Sequence, residues 1–171
     1  DSKPRDRRLE PGEWERLLVA LGQSRNKWIV PAVRLALETG MRRGELLRAR
    51  WEHLDTTKRT LQIPETKNGH PRTIPLSPEA LALLESLPRD IGGQIIPLTI
   101  EALKQAWERA LRRAKIEDLH FHDLRHEAVS RFFERGLSVP EVALISGHRD
   151  YRMLFRYTHL RPEDVARKLV G

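Results

Sequence analysis

The spacing of apolar residues changes twice along this chain, and this change constrains the fold more than any other feature. In residues 9–49, and again from residue 77 onward, apolar residues recur at steps of three and four, which is typical of amphipathic helices. Residues 51–76 instead hold three short segments of alternating or β-favouring residues, and an Asn-Gly pair lies between the last two. The sequence therefore predicts a mainly α fold with a small three-stranded antiparallel sheet (α+β).

Capping residues set the expected helix boundaries. Ser77, Thr99 and Ser138 have the short polar side chains preferred at helix N-termini, and Gly40 is a typical helix stop. The predicted helices cover 9–22, 28–39, 43–49, 77–87, 99–115, 122–135, 138–146, 152–159 and 162–171. The predicted strands cover 51–54, 60–63 and 72–76, with prolines confined to strand ends or edges.

The composition bounds the domain organisation. Residues 1–8 are polar and contain Pro4, so they are expected to be a linker or disordered end before a single domain at 9–171. A chain of 171 residues can bury roughly two thirds of its unfolded surface, which is enough for one core. The absence of cysteine excludes a disulfide scaffold, a Cys-based zinc site and a thiol nucleophile.

Net charge points to the kind of partner. The chain has 31 Lys and Arg residues against 24 Asp and Glu residues, a net charge of +7. This excess favours a polyanionic partner, nucleic acid before a membrane surface, and it is dispersed rather than gathered in a basic tail. No apolar run reaches the length of a membrane span, so we expect a soluble intracellular domain.

Two segments offer cations to a phosphate. Arg42 lies between Gly40 and Gly44 where one predicted helix stops and the next begins, and its fork of donors could reach an oxyanion while Glu45 holds it. Lys67 lies at the tip of the predicted hairpin, from which an ammonium can donate a proton to a leaving oxygen. Taken alone, each is more often a solvated or salt-bridged surface residue.

Two further segments offer histidines and a nucleophile. His122 and Arg125 are three residues apart on a predicted helix, so both can meet one oxyanion. His126 and His122 have a spacing that a metal could use, but the Glu of H-E-x-x-H is absent, so zinc is disfavoured. His148 is followed by Tyr157, whose hydroxyl can act as a covalent nucleophile when cations stabilise it, although a lone Tyr is usually a packing residue.

Together, the segments T-G-M-R-R-G-E, T-K-N-G, H-D-L-R-H, S-G-H and R-Y-T-H give the order Arg, Lys, His-x-x-Arg, His, Tyr. This order resembles the catalytic signature of the tyrosine recombinase (phage integrase) family, over residues 9–169. The resemblance implies a tyrosine recombinase catalytic domain that cleaves and rejoins duplex DNA through a 3′-phosphotyrosyl intermediate. It also implies that no metal, cofactor or ATP takes part.

The resemblance implies a role for each residue of the signature. Arg42 and Arg125 are expected to bind the non-bridging phosphate oxygens, and Lys67 to protonate the departing 5′ oxygen. His122 is expected to accept a proton or a hydrogen bond beside the phosphate, and His148 to donate a hydrogen bond to it. These roles stabilise the extra negative charge of a phosphorane-like transition state without a metal ion.

Two more assignments follow from the resemblance. Glu45 matches an acidic position that buttresses the first Arg and the histidine. Tyr157 is expected to be the nucleophile, because Arg156 and Thr158 beside it match the family pattern. Tyr151 lies six residues earlier, about 600° around an α-helix, so a continuous helix would turn it to a different face.

The resemblance also implies an assembly and a setting. Family members usually carry an N-terminal core-binding domain, which is expected to be absent from this chain, so the isolated domain should bind DNA weakly or as a monomer. The full protein is expected to act as a tetramer on DNA, in the cytoplasm of a prokaryote or phage-infected cell, associated with the nucleoid. The helix predicted from Pro162 is expected to dock on a neighbouring subunit.

Two other functions remain open on the sequence. A type IB topoisomerase has similar chemistry and active-site residues but relaxes supercoils as a monomer. A DNA-binding module or inactive relative would keep the fold without the reaction, although every catalytic position here holds a chemically competent residue.

Overall fold

The computed structural model describes residues 5–64 and 71–170. The helices in these ranges are α1 (Glu13–Gly22), α2 (Ile29–Thr39), α3 (Arg43–Arg48), α4 (Pro78–Ser86), α5 (Ile100–Ala114), α6 (Asp123–Glu134), α7 (Val139–Ser146) and α8 (Pro162–Lys168). The strands are β1 (Leu54–Asp55), β2 (Thr60–Ile63) and β3 (Arg72–Pro75), and 3₁₀ helices cover Trp51–His53 and Tyr151–Tyr157. The predicted mainly α fold with a three-stranded antiparallel sheet is confirmed.

The predicted caps set the helix boundaries. The side chains of Ser77, Thr99 and Ser138 each accept a backbone N–H from the residue three positions further on. Gly40 ends α2 with φ of 68° and Gly147 ends α7 with φ of 77°, both in the left-handed region that favours glycine. These two turns redirect the chain at the positions from which Arg42 and His148 project.

The sheet has the order β1-β2-β3 and is antiparallel throughout. Leu61 pairs with Ile74 in the register, and both are fully buried, so one face of the sheet covers the core. The predicted first strand at 51–54 is wrong for most of its length, because Trp51–His53 form a 3₁₀ turn and the strand begins at Leu54. The Trp51 amide donates to the Gly93 carbonyl at 3.0 Å, outside the sheet. The Asn-Gly turn falls on residues outside the described ranges.

The centre of the core is α2. Its residues from Ala32 to Leu37 are buried at five of six positions, and a helix that is apolar around most of its circumference belongs inside a domain. It packs against α1, α3, α4, α5 and α6, while α7 packs against β3, α6 and the second 3₁₀ helix. Consequently the N-terminus of α3, the start of α6, the end of α7 and the second 3₁₀ helix all lie on one side of the core. Within the described residues, no helix has the length and apolarity to cross a bilayer.

The segment predicted as an α-helix at 152–159 is a 3₁₀ helix at Tyr151–Tyr157. Its backbone bonds span three residues, as in Met153 N–H to the Asp150 carbonyl at 3.1 Å, so the helical period is about three rather than 3.6. Six residues then make two full turns, and the angular argument that separated Tyr151 from Tyr157 is wrong. Burial distinguishes them instead, because Tyr151 is 47% exposed whereas Tyr157 is half-buried.

Residues 5–10, which we call the N-terminal strap, have no regular secondary structure but are tied to the domain by ion pairs. The pairs are Arg5–Asp123, Arg7–Glu13 and Arg8–Glu127, with shortest distances of 3.0, 2.7 and 2.8 Å. Each of the three carboxylates is at most 5% exposed, so the strap arginines compensate charges that are buried in the fold. The role of this segment as an interdomain linker stays a prediction.

The C-terminal helix α8 contrasts with the rest of the domain. Every residue from 160 to 170 is exposed, and α8 has no buried residue. The exposed apolar side chains are Leu160, Val165, Leu169 and Val170. An amphipathic segment that leaves its apolar residues in water has a surface available for another molecule.

The strap makes a testable contribution to stability. Arg7→Met removes the fork that holds Glu13, whose side chain is 7% exposed, and leaves a buried carboxylate without its counter-ion. We expect the free energy of unfolding in urea to fall by roughly 2–3 kcal/mol. The matched double variant Arg7→Met/Glu13→Gln removes the charge as well and should recover at least half of the loss. An unchanged midpoint in Arg7→Met would show that the strap does not stabilise the domain.

Candidate active site

Arg42 occupies the corner between α2 and α3. Its backbone N–H donates to Oε1 of Glu45 at 2.9 Å, so the carboxylate caps the first turn of α3. The guanidinium is 28% exposed, and Nη1 lies 3.7 Å from Oε2 of Glu45. Among the described residues this buried Nη1 has no hydrogen-bond partner. Burial, and then the charge of Arg72, lower the pKa of Arg42. Within the described residues, this corner therefore holds a buried donor that lacks an acceptor.

Arg125 is the third residue of α6 and is 6% exposed. Its Nη1 donates to the Gly40 carbonyl and its Nη2 to the Ser146 carbonyl, both at 2.8 Å. Burial, and then Arg42, lower the pKa of Arg125 to about 9, so it remains protonated at neutral pH. Because a guanidinium has five N–H donors and these bonds use two, Arg125 joins the ends of α2 and α7 with donors to spare.

His148 follows the turn at Gly147 and is held by Ser146. Its Nδ1 lies 2.6 Å from Oγ of Ser146, and its backbone N–H donates to the same oxygen at 3.3 Å. Burial, followed by Arg125 and Arg42, lowers the pKa of His148 to about 4, so the ring is neutral at neutral pH. With Nδ1 accepting the Ser146 hydroxyl, we assign the ring proton to Nε2, which can then donate to an anion.

His122 lies immediately before α6, in the same positive field. Its ring is partly open to solvent, yet partial desolvation, followed by Arg125 and Arg42, lowers its pKa. The imidazole is therefore neutral at pH 7 and can accept a proton. His122, Arg125, Arg42 and His148 are brought together as the sequence predicted, and their mutual effects on pKa are typical of a site for an anion.

Arg72 belongs to this cluster and was missed in the sequence. It begins β3, and its Nη1 and Nη2 donate to the two carboxylate oxygens of Glu45 at 2.6 and 3.0 Å. The Glu45 carboxylate therefore makes two kinds of contact. It accepts the backbone N–H of Arg42, which is the support that the sequence predicted, and it pairs with the guanidinium of Arg72. The strand period offered a signal, because Arg72 lies two residues before Ile74 and so on the same face of β3, which covers the core.

Tyr157 points its hydroxyl at two neighbours from outside the cluster. Arg156 Nη2 donates to the hydroxyl oxygen at 2.8 Å, and His126 Nδ1 lies 3.1 Å from it. Burial, and then Arg156, lower the pKa of His126, so its neutral ring can accept a hydrogen bond from the Tyr157 hydroxyl. The Tyr157 ring stacks on Phe133 with 5.8 Å between centroids.

The Tyr157 hydroxyl lies outside the hydrogen-bond network of Arg125 and His148 in the described part of the chain. No hydrogen bond recorded between described residues joins it to Arg42, Arg125 or His148. A Tyr157 phenolate would nevertheless raise the pKa of Arg125, so the two groups are within electrostatic reach. Lys67 lies outside the described residues, in the segment between β2 and β3. Within 5–64 and 71–170, no three His, Asp or Glu side chains are grouped so as to hold a metal.

The low pKa of His148 predicts an acid sensitivity. In the unfolded chain, His148 binds a proton near its ordinary pKa of about 6.5, whereas in the folded protein it is protonated only near pH 4. Stability is therefore complete above pH 6.5 and falls as the pH drops towards 4. In thermal unfolding, the midpoint of the wild type should fall at least a few degrees further between pH 7 and pH 5 than that of His148→Gln. Equal falls in the two proteins would contradict the assignment.

Comparison with known proteins places this site in a family. A model of the phage integrase family matches residues 7–164. The shufflon-specific DNA recombinase of Escherichia coli is 50% identical over 169 residues, which are 98% of this chain and 44% of that protein. The integrase of Salmonella phage P22 is 28% identical over 95% of this chain and 47% of its own length. The chain thus spans about half the length of these curated relatives.

Solved structures agree with the family match. The catalytic domain of bacteriophage HP1 integrase superposes with a TM-score of 0.76 at 28% identity, covering 95% of this chain and 94% of that one. A lambda integrase (75–356) dimer bound to a COC′ core site gives 0.74 at 25% identity, covering 95% and 62%. The resemblance drawn from the sequence is confirmed, and this chain belongs to the phage integrase family.

Proposed function

We propose that this chain is the catalytic domain of a site-specific DNA recombinase, which cleaves and rejoins duplex DNA by transesterification through Tyr157. The observation that carries the proposal is the buried Nη1 donor of Arg42, which has no acceptor among the described residues and is electrostatically coupled to the rigidly held Arg125. A free cationic donor beside a second guanidinium suits the non-bridging oxygens of one phosphodiester. A shufflon-specific DNA recombinase at 50% identity supports the same activity.

In the proposed reaction, Arg42 and Arg125 bind the two non-bridging oxygens and offset the charge that develops on them. The hydroxyl oxygen of Tyr157 attacks phosphorus, and neutral His122 accepts its proton. The bond from phosphorus to the 5′ oxygen breaks, and Lys67 protonates that oxygen. The products are a 3′-phosphotyrosyl bond and a free 5′-hydroxyl, which can attack in reverse, so no cofactor or external energy source is consumed.

His148 would act as a neutral donor in this scheme. Its ring proton on Nε2, fixed by the bond between Nδ1 and Ser146, can be directed at a phosphate oxygen. A neutral imidazole donates without adding a further charge beside the two arginines. An arriving phosphate would also raise the pKa of His148, because the anion offsets the field that now lowers it.

The nucleophile has to change its partners before it can react. The hydroxyl of Tyr157 is bonded to Arg156 and His126, whereas Arg125 bonds the Gly40 and Ser146 carbonyls. The two hydrogen bonds, the stacking on Phe133 and the Arg156 guanidinium over the Tyr157 ring hold it there, and each is of a kind that contributes on the order of 1 kcal/mol. We infer that binding of DNA draws Tyr157 towards the phosphate held by the arginines.

We further propose that the working form is an assembly of recombinase subunits on duplex DNA, within the cytoplasm of a prokaryotic cell and associated with its nucleoid. The relatives come from bacteria and their phages, and lambda integrase is known as a dimer bound to a core site. In this assembly α8 would dock on a neighbouring subunit through its exposed apolar residues.

The role of Tyr157 is tested with a nicked duplex that traps the covalent intermediate. We expect Tyr157→Phe to abolish the protein–DNA adduct seen by denaturing electrophoresis, because the attacking oxygen is gone. The matched control is Tyr151→Phe, which removes the other tyrosine from the same 3₁₀ helix and should keep the adduct. Survival of the adduct in Tyr157→Phe would refute the assignment. With a plasmid that carries two target sites, exchange supports a recombinase, and relaxation without exchange indicates a topoisomerase.

The role of α8 is tested in the full protein. Truncation after Leu160 removes α8, which has no buried residue, together with the exposed side chains of Val165, Leu169 and Val170. We expect a folded protein that still binds one DNA site but forms the multi-subunit complex at least tenfold less well, as measured by native gel shift. Unchanged assembly after truncation would remove α8 from the interface.

A further inference from the structure

Arg72 joins three parts of the candidate site. From the first residue of β3 it donates two bonds to Glu45 on α3, at 2.6 and 3.0 Å. Its Nε donates to the Ile145 carbonyl near the end of α7 at 2.8 Å. The side chain is 6% exposed, so these bonds form in a region of low water access. Arg72 therefore fixes β3, α3 and α7 relative to one another.

The Glu45 carboxylate lies between two guanidinium groups and accepts hydrogen bonds from only one of them. Arg72 approaches both oxygens in a fork, whereas Nη1 of Arg42 stays 3.7 Å away. The Glu45 side chain is 2% exposed, so its charge is strongly felt by whichever cation it pairs with. If Arg72 were absent, Arg42 would be the nearest cation to that charge.

We propose that Arg72 is a positioning residue that keeps Arg42 available for a DNA phosphate. By occupying both oxygens of Glu45, Arg72 keeps the carboxylate from hydrogen-bonding the Arg42 guanidinium, whose Nη1 stays 3.7 Å from Oε2. The hydrogen bond that Glu45 does make to Arg42 is accepted from the Arg42 backbone N–H. The Nη1 donor of Arg42 is thus left for a ligand. This inference rests on the proposed function and adds a residue that controls whether the Arg42 guanidinium is free to bind a phosphate.

The bond from Arg72 to α7 extends the same control to the other half of the site. Ile145 precedes Ser146, whose carbonyl accepts from Arg125 at 2.8 Å and whose hydroxyl bonds His148. The guanidinium packs against Gly147 so closely that a Cβ there would lie 2.9 Å from its Nη1. Arg72 and the turn that presents His148 therefore pack closely against each other.

A pair of variants separates this positioning role from a simple contribution to folding. In Arg72→Met, the Glu45 carboxylate should close onto Arg42 and compete with a bound phosphate. In Arg72→Met/Glu45→Gln, the neutral amide can still accept the Arg42 backbone N–H but cannot neutralise its guanidinium. Because the double variant also removes a buried unpaired charge, both roles predict that it regains stability. Only the positioning role predicts that folded Arg72→Met binds phosphate more weakly and that the double variant regains phosphate affinity.

The direct measurement is the binding of inorganic phosphate to the 171-residue chain, followed through the NMR signal of the Arg42 Nε–H group. We expect Arg72→Met to weaken phosphate binding about tenfold, and the double variant to return to within about threefold of the wild type. Glu45→Gln alone should bind phosphate at least as well as the wild type. Absence of binding by the wild type, or a folded double variant as weak as Arg72→Met, would overturn the inference.

The same variants in the nicked-duplex assay separate the inference from the proposed function. Single-turnover rates at saturating DNA should fall in Arg72→Met and recover in the double variant. A wild type that forms no adduct contradicts the proposed function, while an active wild type without recovery in the double variant contradicts only the role of Arg72. Thermal unfolding checks that each variant is folded. If Arg72→Met is unfolded, Arg72→Lys, which offers a single point contact to Glu45, must show the same order of effects.

Discussion

The buried carboxylate of Glu45 is the interaction on which the site depends. It caps α3 through the Arg42 backbone, receives the fork of Arg72 from β3, and is nearly sealed from water. A carboxylate in such a position is costly unless each oxygen is bonded, so the three elements that supply its partners are held in one arrangement. Burial alone would raise the pKa of Glu45, but the bonds from Arg72 and from the Arg42 backbone hold it below its ordinary value.

On α6, buried acidic side chains and a buried basic side chain are each compensated by hydrogen-bonding partners. Two of its carboxylates, Asp123 and Glu127, are buried and compensated by the N-terminal strap. Between them along the chain lies Arg125, which is held by carbonyl oxygens and not by an acid. Compensation by neutral dipoles leaves the positive charge of Arg125 intact, whereas an acid would cancel it. Asp123 and Glu127 therefore fix the strap, whereas Arg125 keeps its charge available for a ligand.

The sequence was most informative where local chemistry decides the structure. The strand at 60–63 and the caps at Ser77, Thr99 and Ser138 were predicted correctly, because alternation and capping are local properties. The predictions for 51–54 and 152–159 were wrong, since 3₁₀ turns there depend on bonds to Gly93 and to Asp150 that periodicity does not encode. Arg42 and Arg125 lie close enough to His122 and His148 to lower the pKa of both histidines, while the grouping as a catalytic site and the role of each residue stay predictions.

The contacts missed in the sequence share one physical cause. Arg72 with Glu45, and Tyr157 with His126, join residues 27 and 31 positions apart, and no spacing rule links such pairs before the fold is known. The first contact determines whether the Arg42 guanidinium is available to a ligand, and the second determines whether the Tyr157 hydroxyl is. Nη1 of Arg42, which is buried and has no acceptor among the described residues, raises the energy of the empty site on the order of 1–3 kcal/mol. Under the proposed function, a bound phosphate would remove that cost, and the pairing of Arg72 with Glu45 would preserve this part of the affinity for DNA.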